Sequence, residues 1–161
     1  MIVEALKKSG QGIVKELRDS FAQKRVNASG RLSRSLQEHT EESKNTVRMY
    51  VDALGYVFEV EEGTPPPGKG GSRALVPDIE RWINDKRVPL FRGFRDASAM
   101  AYVIARKINR EGTKRYREGI KTGAISDVIN EQKIKAIENS VLIASEGEAL
   151  EFIDKTIKGR E

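Results

Sequence analysis

The chain has 161 residues, 38% hydrophobic and 33% charged, with 29 Lys and Arg against 24 Asp and Glu for a net charge of +5, which is the length of one domain with a real core and surface to spare for partners. The absence of cysteine excludes disulfides and thiolate metal sites, and the single histidine, His39, excludes a multi-histidine metal site or relay. The charge excess is too mild for a dedicated nucleic-acid binder, and the N-terminal run MIVEALKKSGQGIVKEL carries charges every few residues, so it reads as neither signal peptide nor membrane span.

In chain order, Ile2, Leu6, Ile13, Leu17 and Phe21 mark one face of a first helix, interrupted in pattern by Gly10 and Gly12, with Lys7, Lys8, Lys15, Arg18 and Lys24 on its solvated side. Asn27 to Gly30 is turn chemistry that closes it, and Leu32 and Leu36 predict a single helical turn. Thr46 to Asp52 has the strongest strand composition in the chain, and Glu38 to Glu42 is its expected antiparallel partner across a turn at Ser43 to Asn45. His39 lies on that partner strand with no second ligand near it and reads as a surface residue.

Tyr56, Val57, Phe58 and Val60, next to Glu59, Glu61 and Glu62, fit strand or helix. The three glutamates read as a charged rim beside the next loop, because neighbours in sequence point to different sides of either element and make a poor acid/base pair. In the loop, Pro65, Pro66 and Pro67 fix φ and remove backbone donors, so Thr64 to Pro67 is expected as a stiff, extended arm. Gly68, Gly70 and Gly71 form a hinge that carries Lys69. Gly63, Gly68 and Lys69 imitate the start of a phosphate-binding G-x-x-x-x-G-K-[ST] loop. Position 70 is Gly in place of the hydroxyl, however, and three prolines occupy positions that need N–H groups, so nucleotide binding is rejected.

After the loop, Pro77 fits the first turn of a helix with Asp78 and Glu80 near its positive end and Lys86 and Arg87 near its negative end. Leu75 or Val76, Ile79, Trp82 and Ile83 form its apolar stripe, and Trp82 reads as core. Pro89 to Gly93 is a second break. From Asp96 a helix marked by Ala97, Ala101, Ile104 and Ile108 runs to Gly112, and its small alanines suit it to be the central helix. Lys86 to Lys121 holds eleven Lys and Arg against three Asp and Glu. This is the outer face of a helix or, functionally, a phosphate track with Arg106, Lys107, Arg110, Lys114 and Arg115 as its contacts. In the tail, Ile125, Val128 and Ile129 suggest one helix, and Ile134, Ile137 and Val141 its continuation or a second. Ser145 with Glu148 forms a capping box for a last helix bearing Leu150, Ile153 and Ile157. These helices hold too few large apolar residues to fold alone and must pack on the rest or on another chain.

No nucleophile–base pair, carboxylate pair or metal cluster has committed spacing, so the chain reads as non-enzymatic and without a cofactor. The order of its weak signatures does carry a resemblance. The Asn27-Ala-Ser-Gly-Arg-Leu32 turn, Gly55-Tyr-Val-Phe-Glu-Val-Glu-Glu-Gly-Thr-Pro65, the Pro/Gly loop, Ile79-x-x-Trp82-Ile83-x-x-Lys86, and a long helix ending at Gly112-Thr113 resemble the tail-completion or head-tail joining (neck) proteins of tailed bacteriophages. The likeness covers roughly residues 1–120, which leaves 121–161 as a helical C-terminal extension. It departs from the family's pattern at Gly68-Lys-Gly-Gly71, where prolines and a hydrophobic anchor are usual. It implies an α+β subunit, with helices packed around a small antiparallel sheet. It further implies a virion component assembled in the host cytoplasm as a ring of six or twelve copies, between the portal-side connector and the tail-tube side, with DNA passing through and no membrane partner. Thr64, Pro65, Pro66, Pro67, Lys69 and Trp82 are then the expected contacts to neighbouring subunits. The alternative expectation is a basic nucleic-acid-binding accessory protein.

Overall fold

The computed structural model describes residues 1–26, 29–44, 46–67 and 72–158, with backbone only at residues 72 and 73. Among the described residues the fold is α+β, with helices packed around one two-stranded antiparallel sheet, and no helix is long and apolar enough to cross a membrane.

Helix α1 spans Ile2–Gln23 and buries Ile13, Val14, Leu17 and Phe21, as the spacing predicts. It runs through Gly10 and Gly12 without the expected interruption. Gly10 supplies room: a Cβ there would fall 2.5 Å from Glu38 Cγ and 3.1 Å from Met49 Cγ, so the bare backbone lets the hairpin lie against the helix. The helix also closes earlier than expected, before Asn27 and Ala28, which lie outside the described residues. Arg25 takes a left-handed φ of 52° and donates its N–H to Ala22 O, and Val26 donates its own to Phe21 O. This is a helix terminus of the left-handed type, with Arg in the place Gly usually takes and Val26 turned into the core.

Helix α2, Arg31–Ser35, is the expected single turn, with Leu32 and Leu36 buried. Arg18 ties it to α1 by donating to Ser33 O at 3.0 Å and Leu36 O at 2.9 Å. The hairpin is where the strand propensities place it: β1, Gln37–Ser43, pairs with β2, Thr46–Asp52, in a register that sets His39 opposite Tyr50 and Thr40 opposite Met49. Met49 and Val51 turn towards α1, while Tyr50 faces out. His39 stacks on Tyr50 with ring centroids 5.2 Å apart, and Tyr50 donates to Glu41 at 2.6 Å.

Helix α3, Val57–Glu62, settles the strand-or-helix ambiguity. Helix α4, Ser72–Asp85, begins five residues before Pro77, so Pro77 is inside the helix rather than in its first turn, and Asp78 and Glu80 lie mid-helix. The lost N–H bond and the ring's steric cost are outweighed by packing of Val76, Ile79 and Ile83 against the next helix. α4 ends as α1 does, with Arg87 at φ 51°, its N–H on Asn84 O, and Val88 N–H on Ile83 O. Helix α5, Ala97–Glu111, is capped by Asp96, whose Oδ1 accepts from Ala99 N at 2.8 Å, and it stops at Gly112 as predicted. Helix α6, Lys114–Glu118, follows.

The C-terminal region departs most from expectation. Residues 120–130 form turns, not a helix, and a single helix α7, Glu131–Lys158, follows. Its cap is Asn130, whose Oδ1 accepts from Lys133 N at 2.9 Å. Ser145 is in mid-helix, and Glu148, the expected partner in its capping box, instead accepts from Ile2 N at 2.8 Å and pairs with the Met1 amine. α7 lies antiparallel on α1, pinned at the other end by Lys133 and Glu16 at 2.6 Å. The stretch beyond residue 120 therefore starts inside the body, with Ala124 fully buried and Ile125 and Val128 against the α1 core, and only the end of α7 extends past it.

Two apolar clusters result. The larger gathers α1, α2, the inner face of β2, Ala124 and Ile137. The smaller holds Ile83, Met100 and Ala101 between α4 and α5. The central helix is thus α1, against which the hairpin, α2 and α7 pack, and Ala97 and Ala101 of α5 pack in the cluster it shares with α4. Lys86 Nζ bridges the two clusters by donating to Arg25 O at 2.9 Å.

Candidate assembly surface

The proline arm has a built base. Gly63 and Gly112 end α3 and α5 with φ of 86° and 75° and ψ of 171° and 179°, a region in which only glycine is comfortable. Each precedes a threonine, and the two threonines clasp: Thr64 N donates to Thr113 Oγ1 and Thr113 N to Thr64 O, both at 2.9 Å. Side chains at these glycines would strike the clasp, since a Cβ on Gly112 would lie 2.9 Å from Thr64 O and 3.1 Å from Pro66 Cδ. From this base Pro65, Pro66 and Pro67 emerge exposed and without helix or strand. Lys69 lies outside the described residues.

Beside the arm is an open cleft of about 420 Å³ between α2, α3 and α4. Tyr56 and Trp82 line it, with Glu59, Asp78 and Asp85 as acids and Arg31, Arg81 and Arg115 as bases. Arg81 is held by Asp78 at 3.0 Å, and Arg115 donates to Val60 O at 3.0 Å. Thr64 lines the cleft and the three prolines do not; Pro66 lies against Gly112 instead. Trp82 is not core as expected: it is 45% exposed, because Ile79 and Ile83 already occupy the α4 face turned to α5.

The glutamates divide. Glu59 faces the cleft, and Glu62 is exposed and pairs with Lys121 at 3.0 Å, which raises the Lys121 pKa. Glu61 departs from the expected rim. It is buried and accepts from Thr122 Oγ1 at 2.9 Å, Ile125 N at 3.0 Å and Ser126 Oγ at 2.6 Å. Burial pushes its pKa up, but the Ser126 hydroxyl, the Ile125 N–H and the Thr122 hydroxyl outweigh that and hold it at about 2. A helical reading of residues 57–62 contains the signal, because it sets Glu61 on the same face as Val57.

The basic track is largely spoken for. Arg110 and Arg117 both pair with Glu111, whose pKa is lowered chiefly by Arg110, and Lys114 sits 3.8 Å from Glu118. Arg115 is turned to Val60. Arg106 and Lys107 stand exposed on α5 without a salt bridge among the described residues. No family model, curated protein or solved structure matches this chain.

Proposed function

We propose that the protein is the repeating subunit of a ring of six or twelve copies at the neck of a tailed-phage virion. In that role it joins the portal-side connector of the head to the tail and carries out no reaction. One observation supports this above the others: the subunit carries both three exposed prolines on a hydrogen-bonded base and an open cleft, walled by Tyr56 and Trp82, that those prolines do not line. Extended proline segments dock on aromatic grooves, where their fixed backbone loses little entropy. A contact between two different patches repeats head to tail and closes into a ring when the rotation allows. The order of signatures from Asn27 to Thr113 supplies the phage setting, and of the five expected phosphate contacts Arg106 and Lys107 are the ones left open to passing DNA.

The test is electron microscopy and light scattering of the purified protein, alone and with connector and tail-tube proteins. Rings or ring-containing complexes are expected. Trp82→Ala, at an exposed position, should change folding stability by no more than about 1 kcal/mol yet abolish rings, since a central interface tryptophan contributes about 2 kcal/mol or more per contact. A protein that stays monomeric under all conditions and binds neither connector nor tail-tube protein would falsify the reading.

A further inference from the structure

α7 is apolar on two opposite sides, with the exposed Ile134 and Phe152 on a flank between them. The side carrying Lys133, Ile137, Ser140, Val141, Ala144 and Gly147 is partly buried on α1. At 100° per residue, Leu142, Ile143, Leu150, Ile153 and Ile157 fall on the reverse side. They are 58%, 69%, 66%, 52% and 64% exposed. Ile143, Leu150 and Ile157 repeat at intervals of seven, with Ile153 in the intermediate position, which is the spacing of a helix–helix seam. Beyond Glu148 every described residue of the helix is exposed, so its last turns project past the end of α1 with no cover.

We infer that this seam is the contact through which two copies of the chain pair, α7 against α7. The area is right. Five such side chains, with about 200 Å² each when fully exposed, offer on the order of 600 Å² per copy, so two copies bury at most roughly 1,200 Å², which reaches the lower bound for a stable specific interface. The shape is right as well, because a seam of this spacing requires a second helix with the same spacing. Among the described residues no other helix leaves an apolar stripe uncovered over more than two turns: on α5 the exposed Tyr102 and Val103 give way to Arg106, Lys107 and Arg110. One exposed acid, Glu146, lies within the stripe and limits the affinity of the pair. The pairing goes beyond the ring reading, since a face-to-face contact closes at two copies whereas the ring contact is head to tail.

The experiment is sedimentation equilibrium of the full chain beside Leu150→Glu and Glu146→Leu, with melting followed by circular dichroism. Both positions are exposed, so both variants are expected to keep the native helical spectrum, with melts that differ from the native only by what pairing adds, an amount that grows with protein concentration. The native chain should be a dimer at micromolar concentration, Leu150→Glu should weaken it by about 100-fold or more, and Glu146→Leu should tighten it by about tenfold. Should Leu150→Glu fail to fold, Ile153→Lys reads the same seam. A native chain that is monomeric up to about 100 µM, or a dimer that Leu150→Glu leaves intact, overturns the inference. Larger species that persist in Leu150→Glu and vanish in Trp82→Ala, with no dimer at lower concentration, overturn it too while leaving the ring reading in place.

Discussion

Lowering the pH from 5 to 2 is expected to remove about 3 kcal/mol of folding stability through Glu61 alone, and Glu61→Gln to flatten that part of the profile. The sign follows from the direction of the shift. The carboxylate has a pKa of about 2 in the folded chain against an ordinary 4.5, so its contribution is full above 4.5 and disappears as the pH falls through the folded value. The cause is local: two hydroxyls and one backbone N–H converge on a buried charge, and each is stronger for the ionised acceptor. Glutamine keeps the size but turns an NH₂ towards groups that are themselves donors, leaving at least one unsatisfied in a buried place. A loss of about 2–3 kcal/mol at pH 7 is expected as well. Urea titrations at a series of pH values measure both, and a Gln variant with the native acid slope would show that other carboxylates govern it.

Gly63→Ala is expected to cost about 3 kcal/mol or more, because two penalties coincide. The backbone there, at φ 86° and ψ 171°, is hostile to any side chain. A Cβ would also lie 2.5 Å from Thr113 Oγ1 and 2.6 Å from the backbone N of Tyr116, and the latter cannot swing aside. Relief requires opening the Thr64–Thr113 clasp, so the arm should loosen before the fold is lost. Chemical denaturation gives the energy, and amide exchange at Thr64 and Thr113 reports the clasp. Protection there equal to the native protein's would count against this geometry.

Much of the fold was legible because it follows from local pattern. The period of α1, the strand chemistry of Thr46–Asp52, the Asp96 cap and the Gly112 stop all lie where spacing and capping place them. The failures have a common origin in distant partners. Trp82 has the composition of a core residue, yet nothing local reveals that Ile79 and Ile83 saturate the α5 contact. Ser145 and Glu148 satisfy a capping pattern, but Asn130 had already opened the helix, and Glu148 instead binds the other end of the chain. Glu61 became a buried anchor only because residues about sixty positions away fold over it. Of the candidate site, the arm and its exposure were readable from three prolines. The clasp that aims it was not, because it joins two Gly-Thr pairs separated by a whole helical hairpin.

The division of the subunit into two small cores has a consequence for how it behaves once docked. One wall of the cleft, with Tyr56, belongs to the α1 side and the other, with Trp82, to the α4–α5 side. In the proposed ring a neighbour's arm seated between them would act as a keystone, tying the α1 core to the α4–α5 core. Heat resistance would then be a property of the closed circle, with each member lending its neighbour the rigidity it lacks by itself.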